Sequence, residues 1–155
     1  MNKKICVFGP PCVGKTTLTY TALKNKIPSF TTHSYYKLHW PVGRESRKEF
    51  VTHVLNLDIP LFLDSGGLDI NWINGEIDGG VNAKTVLLLP PRDVYLERER
   101  IEIEEWGENR NQDGLKNYDN FTELKPEFDL VIEDVLSPQE ILDYIIEKTG
   151  FKNEL

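Results

Sequence analysis

Nine residues, Gly9-Pro10-Pro11-Cys12-Val13-Gly14-Lys15-Thr16-Thr17, carry the most specific chemistry in the sequence. They fit G-x-x-x-x-G-K-[ST], the pattern of a loop that cradles a nucleotide triphosphate. Gly9 and Gly14 let the backbone wrap a phosphate with its N–H groups pointing inward. A helix opening after the loop adds free N–H groups and a positive dipole end. Lys15 can reach the β- and γ-phosphates, and Thr16 can offer its hydroxyl to Mg²⁺. Thr17 falls near the α-phosphate. The expected nucleotide-binding set is therefore Gly9, Cys12, Val13, Gly14, Lys15, Thr16 and Thr17. A tight turn with a solvated lysine would use the same letters. A strand before the loop and a helix after it separate the two readings.

A second acid fits the first motif. Asp64 ends the apolar run Leu61-Phe62-Leu63, where a carboxylate would hold Mg²⁺ directly or through water. The plainer alternative is a strand-terminal Asp starting a turn before Gly66-Gly67.

The elements that must position these groups alternate. Ile5-Cys6-Val7-Phe8 is a short apolar run that predicts a buried strand. Residues 15–26 place Leu18, Ala22 and Leu23 at helical spacing. Phe30-Thr31-Thr32 predicts a short second strand. Residues 44–57 set Phe50, Val51, Val54 and Leu55 on one helical face. Ser65 to Gly80 holds five glycines and predicts a loop-rich stretch, with a short helix around Asp69 to Ile73. Thr85 to Leu89 is a fourth strand, followed by a charged helix to about Trp106. Gly107 to Asn120 is polar and rich in Asn, Asp and Gly, which predicts a mobile segment. Phe128 to Ile132 is the fifth strand. Ser137-Pro138-Gln139-Glu140 opens the last helix, with an N-cap, Pro at N1 and Glu at N3. Apolar strands without polar alternation belong to a sheet covered on both faces. The expected fold is a three-layer α/β sandwich around a five-stranded parallel sheet.

Composition limits the rest. The chain has 155 residues, 18 Lys+Arg against 25 Asp+Glu, and a formal net charge of −7. That length predicts one domain. The acidic balance argues against a broad basic surface for duplex nucleic acid. Two cysteines, Cys6 and Cys12, give no disulfide framework. No apolar run is long enough for a membrane span or a signal-peptide core. The expectation is a cytoplasmic protein with no separate targeting or regulatory domain.

With these residues in view, the chain resembles the P-loop small kinases, the group of the nucleoside monophosphate kinases and their relatives. The resemblance rests on Gly9 to Thr17, on Leu61 to Asp64, on Thr85 to Arg98, and on Asp129 to Ile132 followed by Ser137 to Glu140. It implies a strand order of 2-3-1-4-5, an acceptor-binding insert at about 29–50, a lid at about 107–120, and ATP with Mg²⁺ as donor and cofactor. It also implies catalytic roles for Lys15 and Asp64, with Arg98 as the arginine at the start of the lid and Arg110 as the lid-borne one. Arg98 and Arg100 stand two apart on a helix and do not share a face. The run Glu97-Arg98-Glu99-Arg100-Ile101-Glu102 also reads as a solvated face.

The acceptor side is informative through an absence. Many hydroxyl-phosphorylating relatives place an Asp just after strand two. Here Thr31-Thr32-His33-Ser34 stands there, and between Thr17 and Asp58 the only acids are Glu45 and Glu49. A monophosphate acceptor is already an anion and needs cations rather than a base. Arg44 and Arg47, with Lys48, supply them, so a (deoxy)nucleoside monophosphate is favoured. Asp64 or Glu45 as the base, or His33 in place of that Asp, is the alternative. Tyr35 and Trp40 are the candidates for stacking on an acceptor base. Other readings stay open: a kinase acting on a nucleic acid end or a modified DNA base, a GTPase using Asp64-Ser65-Gly66-Gly67, or an ATP-binding regulatory module. Against the GTPase, no Asn-Lys-x-Asp motif occurs. Oligomeric state has no signal.

Overall fold

The computed structural model describes residues 3–32, 44–106 and 114–153; side chains at 44–47 and 106 lie outside the described set. Five strands form one parallel sheet: β1 (Lys4–Phe8), β2 (Ser29–Thr31), β3 (Leu61–Asp64), β4 (Ala83–Leu88) and β5 (Leu130–Ile132). Their order is β2-β3-β1-β4-β5, as the resemblance implies. Among the described residues six α-helices accompany them: α1 (Lys15–Lys24), α2 (Arg44–Leu55), α3 (Ile70–Asp78), α4 (Arg92–Trp106), α5 (Gly114–Leu124) and α6 (Pro138–Thr149).

The central strands are buried along their whole length. β1 and β3 expose no side chain, and only Lys84 of β4 reaches solvent. Such strands need helices on both faces, which makes the three-layer arrangement. Ile5, Val7, Phe62, Leu87 and Leu142 lie in the resulting core. Cys6 lies there as well, and burial pushes its thiol up to about 12, against the pull of a hydrogen bond with Ser65 and of Lys4. Neither cysteine is in a disulfide.

Register brings the chemistry together. Val7 pairs with Asp64 across β1 and β3, and Ser65 N–H donates to the Val7 carbonyl at 2.8 Å. Asp64 is thereby fixed beside the strand that feeds the glycine loop. Both stand at the carboxyl ends of parallel strands, where ligands bind in open α/β sheets.

Two stretches differ from the sequence expectation. Residues 70–78 form a full helix because Asp69 caps it, accepting from Asn71 N–H at 2.9 Å, and Gly79 with Gly80 ends it. The glycines mark the helix end, while Ile70 and Ile73 bury its apolar side. Residues 114–124 form α5, despite their polar letters. A Cβ at position 114 would come within 2.2 Å of Glu99 Oε2 and 2.5 Å of Tyr95 Oη, so this glycine lets α5 approach α4. Tyr118 then lies against Tyr95, with ring centroids 4.9 Å apart, and donates its hydroxyl to the Pro90 carbonyl at 2.6 Å. The last helix follows its sequence: Ser137 and Glu140 form a capping box, and Gly150 ends it in the left-handed conformation.

Candidate active site

The loop between β1 and α1 is built as its letters demand. A Cβ on Gly9 would sit 2.7 Å from the Leu88 carbonyl oxygen and 2.7 Å from Val13 Cγ2, so the first position has room only for hydrogen. Cys12 and Gly14 are left-handed, with φ of 68° and 92°. Left-handed residues alternating with ordinary ones curl a backbone into an anion-binding concavity. Gly14 caps α1 without a side-chain hydrogen bond, and α1 has no acid in its first turn. Its positive end is therefore left for an anion.

Lys15 Nζ donates to the Gly9 and Pro10 carbonyls at 2.6 and 3.0 Å. Burial of the ammonium holds its pKa below the usual lysine value, while Asp64 and Cys12 pull it back upward. Thr16 Oγ1 lies 3.4 Å from Asp64 Oδ2. Asp64 is only 5% exposed, and its Oδ1 accepts from Gly66 N–H at 3.1 Å. A hydroxyl and a carboxylate oxygen facing each other are the hard donors that Mg²⁺ prefers, alongside water and phosphate oxygens. Among the described residues no group of three or more His, Cys, Asp or Glu gathers as a metal cage. Thr16 and Asp64 thus fit a cation shared with a phosphorylated ligand. The seven loop residues expected from sequence are together: all but Gly9 line one cleft of about 650 Å³, with Asp64, Gly66 and Glu102.

Gly9 belongs to a second cleft, of about 330 Å³, which meets the first at Pro11 and Lys15. Its walls are the loop from Gly9 to Pro11, the β3–α3 turn at Gly67 and Leu68, and Asn117 and Phe121 of α5. The turn is held from β2: the buried Thr32 hydroxyl donates to the Gly66 carbonyl at 2.9 Å. Sequence reasoning did not find Glu102, Leu68, Asn117 or Phe121. No motif marks them: the docking of α4 and α5 brings Glu102, Asn117 and Phe121 to the loop, and the β3–α3 turn brings Leu68.

The arginines separate. Arg100 is exposed and paired with Glu97 and Glu104, each at 2.6 Å, so it belongs to the helix surface. Arg98 is half-buried and lines a third cleft of about 250 Å³ with Cys12, Ile101, Glu102 and Glu105. Arg110, His33, Tyr35 and Trp40 lie outside the described residues, as do the side chains of Arg44 and Arg47. Lys48 lies 5.7 Å from the Trp72 ring centroid. The two line a separate cleft of about 500 Å³, which shares no residue with the loop clefts.

No protein-family model matches the chain, and no curated protein matches it. Solved structures do. Shikimate kinase from Aquifex aeolicus vf5 aligns at 19% identity with a TM-score of 0.66, over 95% of this chain and 96% of its own. The YorR protein from Bacillus subtilis, in complex with phosphorylated GDP, aligns at 19% identity and 0.66, over 95% of both chains. A gluconokinase from Sinorhizobium meliloti 1021 aligns at 12% identity and 0.66, over 96% of this chain and 91% of its own. The fold is that of the P-loop small kinases. Among the described residues no helix is long and apolar enough to cross a membrane.

Proposed function

We propose that this protein is an Mg²⁺-dependent phosphotransferase that moves the γ-phosphoryl group of ATP to a small, nucleotide-like acceptor, a (deoxy)nucleoside monophosphate above others. The observation that carries this reading is the meeting of two clefts at Lys15, one lined by the phosphate loop and one by α5. A loop that only bound a triphosphate would need the first cleft alone. The fold neighbours support the reaction class, since shikimate kinase and gluconokinase are among them. YorR, held with phosphorylated GDP, supports a nucleotide over a sugar acid.

The loop N–H groups and the start of α1 bind the β- and γ-phosphates. Lys15 leaves the Gly9 and Pro10 carbonyls for the phosphate oxygens and balances the charge that builds during transfer. Thr16 and Asp64 would hold Mg²⁺, which when bound neutralises phosphate charge. An acceptor oxygen forms the new bond to the γ-phosphorus as the bond to the β,γ-bridging oxygen breaks. ADP leaves with that electron pair. A monophosphate dianion brings no proton to remove, so the step needs no general base. Arg110, and the side chains of Arg44 and Arg47, are the cations we assign to the acceptor and the transferring group. His33, Tyr35 and Trp40 are assigned to the acceptor-binding insert.

The test is transfer of label from γ-labelled ATP to a panel of nucleoside monophosphates, nucleosides, sugar acids and oligonucleotides. Label on monophosphates is expected. Label on oligonucleotides alone would replace this reading with a nucleic acid kinase, whose binding would fall steeply with salt.

A further inference from the structure

The smaller cleft has its own chemistry. Four of its walls are apolar, Pro10, Pro11, Leu68 and Phe121, and its polar side chains are Lys15 and Asn117. Among the described residues it has no carboxylate and no arginine. A polyhydroxylated acid would bury several hydroxyls there without partners, which is costly. A flat ring with one polar edge would not.

The ring platform is fixed in advance. Phe121 lies 6.2 Å from Phe128, and Phe128 meets Phe8 edge-on at 5.3 Å. Phe8 is the last residue of β1, so this row of rings runs from the sheet core out to the cleft. Phe121 is half-buried and lines the cleft. One turn earlier on α5, half-buried Asn117 makes no side-chain hydrogen bond to any described residue. Its amide offers both donors and an acceptor to a ligand edge. Lys15 also lines this cleft and is shared with the phosphate cleft. The volume of about 330 Å³ falls at the small end of ligand sites.

We infer that this cleft is an acceptor subsite for a nucleobase, which stacks on Phe121, presents its hydrogen-bonding edge to Asn117, and points its phosphorylatable end toward Lys15. This rests on the phosphotransferase reading and names the acceptor class and the residues that select it. Phe121 and Asn117 are the specificity-determining pair. Sugar acids are rejected by the apolar walls.

The experiment reads binding rather than turnover, so it can fail separately from the activity. Nucleosides, nucleoside monophosphates, short oligonucleotides and gluconate are titrated by calorimetry into the full chain, saturated with a non-hydrolysable ATP analogue. Base-bearing ligands are expected to bind and gluconate is not. Phe121→Ala should weaken base binding about 5- to 150-fold, the range of a lost stacking partner. Phe121→Leu keeps an apolar side chain against Phe128 without the ring face, and should still weaken it while the protein melts as a folded domain. Asn117→Ala should weaken it about three- to tenfold. Affinity for the ATP analogue should stay the same in all three variants. Comparing free nucleotides with oligonucleotides assigns the source of the base. Base binding that ignores Phe121 and Asn117, or binding of gluconate in preference to bases, would overturn the inference. Label transfer that persists with that result would leave the phosphotransferase reading standing.

Discussion

Replacing Asp64 with Asn separates the chemistry of this carboxylate from its place in the fold. The native side chain makes two contacts: Oδ1 accepts from Gly66 N–H at 3.1 Å, and Oδ2 lies 3.4 Å from Thr16 Oγ1. An asparagine keeps an acceptor for Gly66 and a polar partner for Thr16. Folding stability should therefore change by no more than about 1 kcal/mol, the worth of one ordinary hydrogen bond. The charge is lost completely. Removing one preorganised electrostatic group from a reacting centre costs about 2.7–4 kcal/mol, or about 10²- to 10³-fold in kcat. Asp64 also raises the Lys15 pKa against burial, so the variant should hold that pKa lower still. The assay pairs thermal melting with ATP-dependent transfer at rising Mg²⁺. The expected result is a near-native melting temperature, activity reduced by two to three decades, and a shift of the Mg²⁺ requirement to higher concentration. Full activity at an unchanged Mg²⁺ requirement would refute the role given to Asp64. Loss of the folded state would make it structural instead.

Other expectations follow from single contacts. Gly9→Ala places a methyl 2.7 Å from the Leu88 carbonyl and from Val13. Overpacking of about 1–3 kcal/mol, at about 2–4 °C per kcal/mol for this size, lowers the melting temperature by about 2–12 °C; an unshifted melt would contradict the packing. A thiol reagent should label Cys12 alone in the native protein and both cysteines after unfolding, because Cys6 has no exposed surface and its thiol is held at about 12. ATP should slow the labelling of Cys12, which lines the phosphate cleft; native labelling of both, or no protection, would count against the site. Lys15 loses its proton below 10.5 in the free protein, whereas bound phosphates favour the ammonium. In that alkaline window ATP binding should take up protons and weaken as pH rises, while the fold itself gains stability, since the unfolded chain holds more protons there. Calorimetry in buffers of different ionisation enthalpy reads this linkage, and identical heats in every buffer would exclude it.

The places of the loop and of the strand-end acid beside it were legible because local rules fix them. Gly9, Gly14, Lys15 and Thr16 sit at motif spacing between a strand and a helix, and Asp64 ends a strand whose register with β1 leaves it one place to be. The sheet was legible because its strands are short apolar runs bounded by breakers. The α5 helix was hidden, since its stability comes from packing rather than letters: Gly114 against Tyr95 and Glu99, and Tyr118 against Tyr95. For the same reason Asn117 and Phe121 carried no signal, and Leu68 had none because only the path of the β3–α3 turn sets it at the cleft. The distance between Lys48 and the loop clefts was equally unreadable, because a basic cluster in sequence says nothing of which helix face each member takes.

The most direct test of the central claim is a single-turnover assay with γ-labelled ATP and a nucleoside monophosphate acceptor, comparing the natural protein with Lys15→Met. Label is expected on the acceptor with the natural protein, and transfer should fall at least about 10²-fold in the variant while it stays folded. Transfer at the natural rate without the Lys15 ammonium would contradict it.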